Sequence, residues 1–202
     1  MAIVDVNLER VRTAVAEGAD VVDIVGVGGG PEGEVLRTAA FVATVRDAYP
    51  DLVISVCTGR REVAREACAA GADLVREGLA GVAAEFGVGV VCSHDLVARA
   101  IGAGVDPERI IVEPARQSGE HVASGVADLV ASGWPVLVDF TADDGLAQAG
   151  ALAATLARTA VCAWLGARVF RVGEVGEIRR VLRMVSAIRG DTPPARATRG
   201  LA

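Results

Sequence analysis

A chain of 202 residues with 52% hydrophobic and 23% charged side chains is too apolar to remain disordered. At this length roughly 70% of the unfolded surface can be buried, so folding requires neither disulfides nor a structural metal. A net charge of −6, 3% aromatic residues and no basic stripe argue against a nucleic-acid surface, and the absence of any Lys among the twenty basic residues excludes a Schiff-base or phosphate-loop lysine.

The chain MAIVDVNLERVR opens without a signal pattern, and its first regular element is expected to be a helix over 7–17. Short Val/Ile-rich runs then recur: 21-VVDIV-25, 52-LVISV-56, a weaker 72-ADLVR-76, 88-VGVVC-92, 109-RIIVE-113, 135-PVLVD-139 and 168-RVFRV-172. Runs apolar at nearly every position predict strands buried on both faces, as in a parallel sheet. Ala-, Arg- and Glu-rich stretches between them predict helices over 33–48, 60–70, 79–86, 94–103, 118–132, 144–165 and 174–189. Gly18, Gly71, Gly133 and Gly166 stand just before strands, where a helix must stop and turn.

Uninterrupted alternation of strand and helix gives an α/β fold with a parallel sheet. The reading is a TIM-type (β/α)8 barrel lacking its first strand, with seven parallel strands. Residues 1–189 form this one domain. The tail 190–202, with two prolines and no periodicity, is expected to be disordered. No apolar stretch reaches the ~20 residues of a membrane span. Cys57, Cys68, Cys92 and Cys162 are widely spaced, which fits a reducing, cytoplasmic setting. Cys57, Cys92, His94 and Glu113 fall near strand ends and would be a zinc-type set, but isolated cysteines are more often small buried apolar groups, so no metal site is assigned. His121 is expected exposed in a first helical turn, Trp134 and Trp164 as core or interface anchors, and the glycines of Gly26 to Gly30 do not match a phosphate loop.

The segments 18-GADVVDIVGVGGGPEG-33, 52-LVISVCT-58, 71-GADLVREGLAG-81, 104-GVDPERIIVEP-114, 135-PVLVDFT-141 and 155-TLARTAVCAWLGARVFRVGEV-175 resemble, in order and register, the dihydropteroate synthase family of pterin-binding barrels. The resemblance implies transfer of a pterin methylene from diphosphate to an aromatic amine, p-aminobenzoate. It also shows departures. The family's D-I-G-G-E-S-T-R-P-G reads Asp23-Ile24-Val25-Gly26-Val27-Gly28-Gly29-Gly30-Pro31 here. The S-V-D-T carboxylate that pairs with the guanidine-like edge of the pterin is Cys57, and I-N-D becomes Val75-Arg76-Glu77. L-D-P-G becomes Val112-Glu113-Pro114-Ala115, S-R-K-S becomes Thr141-Ala142-Asp143-Asp144, and R-V-H-D-V keeps Arg171 but loses its His.

The N-V-T-P-D-S-F loop, which organises diphosphate and Mg²⁺ in the family, has no counterpart, so no cofactor is expected. Losing one transition-state donor typically costs ~3 kcal/mol of barrier, and several are missing or reversed. The expectation is therefore a catalytically impaired or inactive binding or accessory protein of folate-type metabolism. An active transferase, on the family substrates or a changed one, is the alternative. Candidate positions for a pterin or anion are Asp23, Cys57, Glu77, Glu113, Thr141 and Arg171, with no catalytic residue assigned. Arg171 is read either as an anion site or as a rim residue paired with Glu174 or Glu177. The expected partners are a pterin-like small molecule and either a second copy, through Ala-rich faces over 146–165, or a protein covering the seam left by the missing strand.

Overall fold

The computed structural model describes residues 1–4, 7–25, 31–76, 78–114, 122–141 and 151–192. Strand and helix alternate throughout: β1 Ala2–Val4, α1 Leu8–Ala16, β2 Val21–Val25, α2 Pro31–Ala48, β3 Val53–Cys57, α3 Arg61–Ala69, β4 Leu74–Arg76, α4 Ala80–Phe86, β5 Gly89–Ser93, α5 Val97–Gly102, β6 Ile110–Glu113, α6 Val122–Ala131, β7 Leu137–Asp139, α7 Ala151–Leu165, β8 Val169–Arg171 and α8 Val175–Arg189. The elements follow the hydrophobic pattern closely. In α3 the buried set Val63, Ala64, Ala67 and Cys68 is one helical stripe. In β2 and β3 the middle residues are buried on both faces, as an internal parallel sheet demands.

β1 to β6 form one parallel sheet in chain order, and β7 pairs in parallel with β8. Two isolated parallel bridges, Ala2↔Val172 and Val112↔Val136, join the two sheets at both seams. The bridges are reinforced where Val172 N–H donates to Met1 O at 3.1 Å and Val112 N–H to Pro135 O at 2.9 Å. The ring is thus complete with eight strands, as a (β/α)8 barrel requires.

The expected strand order is present, with one correction. A first strand does exist: Ala2–Val4 pairs in parallel with β2 and bridges to the end of β8. Three residues show no period of their own, and only their two neighbours make them a strand. The seam that was expected to need a partner is filled by the chain itself. Asn7 caps α1 by accepting from Glu9 N–H and Arg10 N–H.

One outer core packs Val22, Ile24, Ile54 and Val56 of β2 and β3 against Val11 of α1, Phe41, Val42 and Val45 of α2 and Ala67 of α3. Because side chains alternate across a strand, this leaves Asp23 and Ser55 on the opposite face, toward the barrel axis. Gly89 opens β5 where nothing larger fits: a Cβ there would lie 2.5 Å from Leu74 Cδ2 and 2.8 Å from the carbonyl oxygen of Arg109. Gly166, at φ +108°, turns α7 into β8.

Candidate functional site at the strand ends

Asp23 and Ser55 are register partners on β2 and β3, and the Ser55 hydroxyl donates to Asp23 Oδ1 at 2.6 Å. The other oxygen, Oδ2, accepts from Arg171 Nε at 2.7 Å and faces Arg171 Nη2 at 2.6 Å. Asp139 and Arg171 are likewise register partners on β7 and β8, and Arg171 Nη1 donates to Asp139 Oδ2 at 2.8 Å. Thr141 completes the set. Its N–H and hydroxyl donate to Asp139 Oδ1 at 2.9 and 2.6 Å, and its oxygen accepts from Arg171 Nη1 at 3.1 Å. Asp23 is fully buried and the Arg171 side chain is 10% exposed. Burial opposes both charges at Asp139 and Arg171. At Asp139 the hydrogen bonds from Thr141 and Arg171 outweigh it and hold the carboxyl below its ordinary range. At Arg171 the charges of Asp23 and Asp139 outweigh it and raise the guanidinium further.

A second pair lies across β5. Arg76 Nη2 donates to both carboxylate oxygens of Glu113, at 2.8 and 2.9 Å. Cys57, at the end of β3, is half-buried, and burial followed by the Asp23 charge pushes its thiol up. On the rim, Glu34 accepts from Thr58 Oγ1 at 3.3 Å and pairs with Arg60 Nε at 3.1 Å.

Of the residues singled out from sequence, Asp23, Thr141 and Arg171 come together in one network, and Cys57 lies within electrostatic reach of it. Glu113 belongs to the Arg76 pair, and Glu77 lies outside the described residues, as do His121, Gly26 to Gly30 and Ala142 to Asp144. Of the two readings of Arg171, the rim pair is not the one found: Glu177 meets Arg180, and the three nitrogens of Arg171 face Asp23 and Asp139. Trp134 packs against the core, whereas Trp164 is 56% exposed.

Sequence reasoning passed over Ser55, Arg76 and Asp139 as members of the site. The available signal was the polar residue that ends an apolar run: 72-ADLVR-76 closes on Arg76 and 135-PVLVD-139 on Asp139, both at strand C-termini, where barrel chemistry gathers. The Mg²⁺ implied by the family resemblance does not fit these residues. Both oxygens of Asp23 are engaged by Arg171 and Ser55, and among the described residues no three His, Cys, Asp or Glu side chains converge to hold a cation.

A parallel barrel whose charged side chains gather at the strand C-termini defines a (β/α)8 protein. Comparison with known proteins narrows this. The pterin binding enzyme family matches residues 3–96. The inactive dihydropteroate synthase 2 of Mycobacterium tuberculosis H37Rv is 40% identical over 250 residues, covering 96% of this chain and 79% of that protein. Its Mycobacterium leprae counterpart is also 40% identical, with 94% and 84% covered. A solved Mycobacterium tuberculosis structure superposes with a TM-score of 0.84 at 40% identity, covering 96% of this chain and 93% of that one. The dihydropteroate synthase of Xanthomonas albilineans in complex with 7,8-dihydropteroate shares the fold with a TM-score of 0.83 at 22% identity, covering 96% and 94%. The chain belongs to the dihydropteroate synthase family. The 250-residue span of the Mycobacterium tuberculosis alignment exceeds the 202 residues here, so that relative carries segments without a counterpart.

Proposed function

We propose that this is a catalytically inactive dihydropteroate synthase-like protein that serves as a binding or accessory protein for a pterin-like small molecule. One observation carries the reading: the carboxylates at the barrel mouth are engaged by the chain's own guanidinium groups, Asp23 and Asp139 by Arg171 and Glu113 by Arg76. Transfer chemistry needs preorganised donors aimed at the departing diphosphate. Here the retained Arg171 spends its donors on internal acceptors. Relatives at 40% identity that are named inactive support the same conclusion.

The reading extends to a protein that works without a metal cofactor, in the cytoplasm, as a homodimer. No helix of the described residues is long and apolar enough to cross a membrane. The dimer proposal draws support from an exposed apolar face on the adjacent helices α7 and α8, formed by Val161, Trp164, Met184 and Ile188. Arg189 ties the ends of these helices by donating to Ala163 O at 3.1 Å and Trp164 O at 2.8 Å.

The test is incubation with a reduced hydroxymethylpterin diphosphate and p-aminobenzoate, following diphosphate release and product formation. The expected result is no rate above the uncatalysed background. Sustained release with pteroate formation overturns the proposal.

A further inference from the structure

The two guanidinium–carboxylate contacts at the mouth are built differently. Arg171 uses Nε, Nη1 and Nη2 against two aspartates and a threonine. Arg76 uses one nitrogen: Nη2 alone spans both oxygens of Glu113, while Nη1 is buried with no hydrogen-bond partner. Arg–carboxylate pairs draw their strength from a fork of two parallel N–H···O bonds, and a buried donor left unpaired works against the contact. Arg76 is thus seated on Glu113 but poorly satisfied there.

The registers fix the reach. Arg76 is level with Val91 on β5, and Glu113 is level with Ser93, two residues nearer the strand C-terminus. The guanidinium therefore crosses β5 and points toward the rim, with the Arg76 and Glu113 side chains 18% and 15% exposed. A carboxylate in such a place binds any group that offers adjacent N–H donors on an amidine carbon. Free guanidinium has that geometry, and so does the 2-amino-4-oxo edge of a fused pyrimidine. The contact that Arg76 makes is the one such a heterocycle would make.

We propose that Arg76 is an internal competitor for Glu113: a 2-amino-4-oxo heterocycle binds by displacing the guanidinium from the carboxylate, so Arg76 sets the affinity and makes it depend on the 2-amino group. The proposal rests on the reading of the mouth as a site for pterin-like rings and adds the residue that determines its selectivity. It requires no turnover.

The experiment is titration calorimetry of the full chain with pterin and with lumazine, which has a 2-oxo group in place of the 2-amino group. Wild type, Arg76→Ala, Arg76→Gln and the double variant Arg76→Ala/Glu113→Gln are compared, with circular dichroism confirming that each is folded. Arg76→Gln keeps the polarity and much of the length and serves if the alanine variant does not fold. Removing the competitor is expected to tighten pterin binding at least about tenfold, the scale of one charged hydrogen bond, and to leave lumazine unchanged. The double variant is expected to lose the gain. Equal pterin affinity in wild type and the Arg76 variants, a gain that survives Glu113→Gln, an equal gain for lumazine, or no pterin binding by any variant overturns the proposal. Diphosphate release by the wild type would instead overturn the inactive reading and leave this affinity ranking standing.

Discussion

Arg171 places Nε and Nη2 on one oxygen of Asp23, at 2.7 and 2.6 Å, although 148 residues separate the two in the chain. β1 lies between their strands, so the pair spans the seam where the end of the barrel meets its beginning. Arg171→Leu strands Asp23 and Asp139 in a buried site with no counter-charge, a situation that typically costs ~3–5 kcal/mol. Urea denaturation is expected to show a loss of that order, with Arg171→Lys losing less because it keeps the charge but not the fork. A loss under about 1 kcal/mol in Arg171→Leu, the scale of an exposed pair, would show that the network does not hold the seam.

Acid should act through Asp139. Its carboxyl is held below its ordinary value of 3.8 in the folded protein, burial being outweighed by the Thr141 and Arg171 hydrogen bonds. The unfolded chain therefore binds that proton first as pH falls. The stabilisation is complete above the unfolded value and is lost as pH drops through the folded one. Urea midpoints measured from pH 6 downward should fall more steeply in wild type than in Asp139→Asn below the ordinary carboxylate value. Equal slopes would contradict the assignment.

These two relationships also mark where the sequence stops being informative. Strands β2 to β8 were legible because double-sided burial writes a continuous Val/Ile run, and α3 because its apolar stripe repeats at helical spacing. β1 was not legible: Ala2–Val4 is too short for a period, and its hydrogen bonds come from strands 20 and 170 residues away. At the site, Asp23, Glu113 and Arg171 are reached through the resemblance to the family motifs. Their pairing is not, because it depends on which strand ends converge across the ring. For Arg171 the chain offers only its sequence neighbours Glu174 and Glu177 as carboxylate partners, one of the two readings, whereas the partners found are Asp23 and Asp139.

Gly89→Ala tests the packing of β5 between its neighbours. The added methyl would meet Leu74 Cδ2 at 2.5 Å and, less forgivingly, the backbone oxygen of Arg109 at 2.8 Å. Leu74 can change rotamer, but a backbone carbonyl between two paired strands cannot move freely, so a loss of about 1–3 kcal/mol is expected in chemical denaturation. A neutral result would mean that the β4–β5–β6 register is looser than described. Gly81→Ala is the control, since beyond its chain neighbours and the backbone of its own helix nothing lies within 4 Å of its added methyl.

The four thiols should react in an order set by burial. Cys68, Cys92 and Cys162 are buried, and Cys68 is pushed up to about 11, first by burial and then by Asp73 and Glu85. Cys57 is half-buried, and its thiol is also raised. Since the thiolate is the nucleophile, Cys57, Cys68 and Cys162 should alkylate more slowly than free cysteine at pH 8, and burial shields Cys92 from the reagent, so Cys57 should react first. Peptide mapping after iodoacetamide treatment checks the order. Cys68 reacting ahead of Cys57 in native protein would contradict it.

The proposed dimer makes a last, separable prediction. Trp164 and Ile188 are 56% and 65% exposed, and with Val161 and Met184 they give α7 and α8 an apolar face. A large exposed apolar patch on a folded protein marks a contact surface, and a buried Trp is the residue type that dominates such contacts. Trp164→Glu and Ile188→Glu remove little from the intrachain core, so the folding of the protomer should be kept while association is lost. Sedimentation velocity is expected to show a dimer for wild type and a monomer for the double variant, with unchanged far-ultraviolet circular dichroism. A wild-type monomer, or a dimer that persists in the double variant, would place the interface elsewhere or remove it.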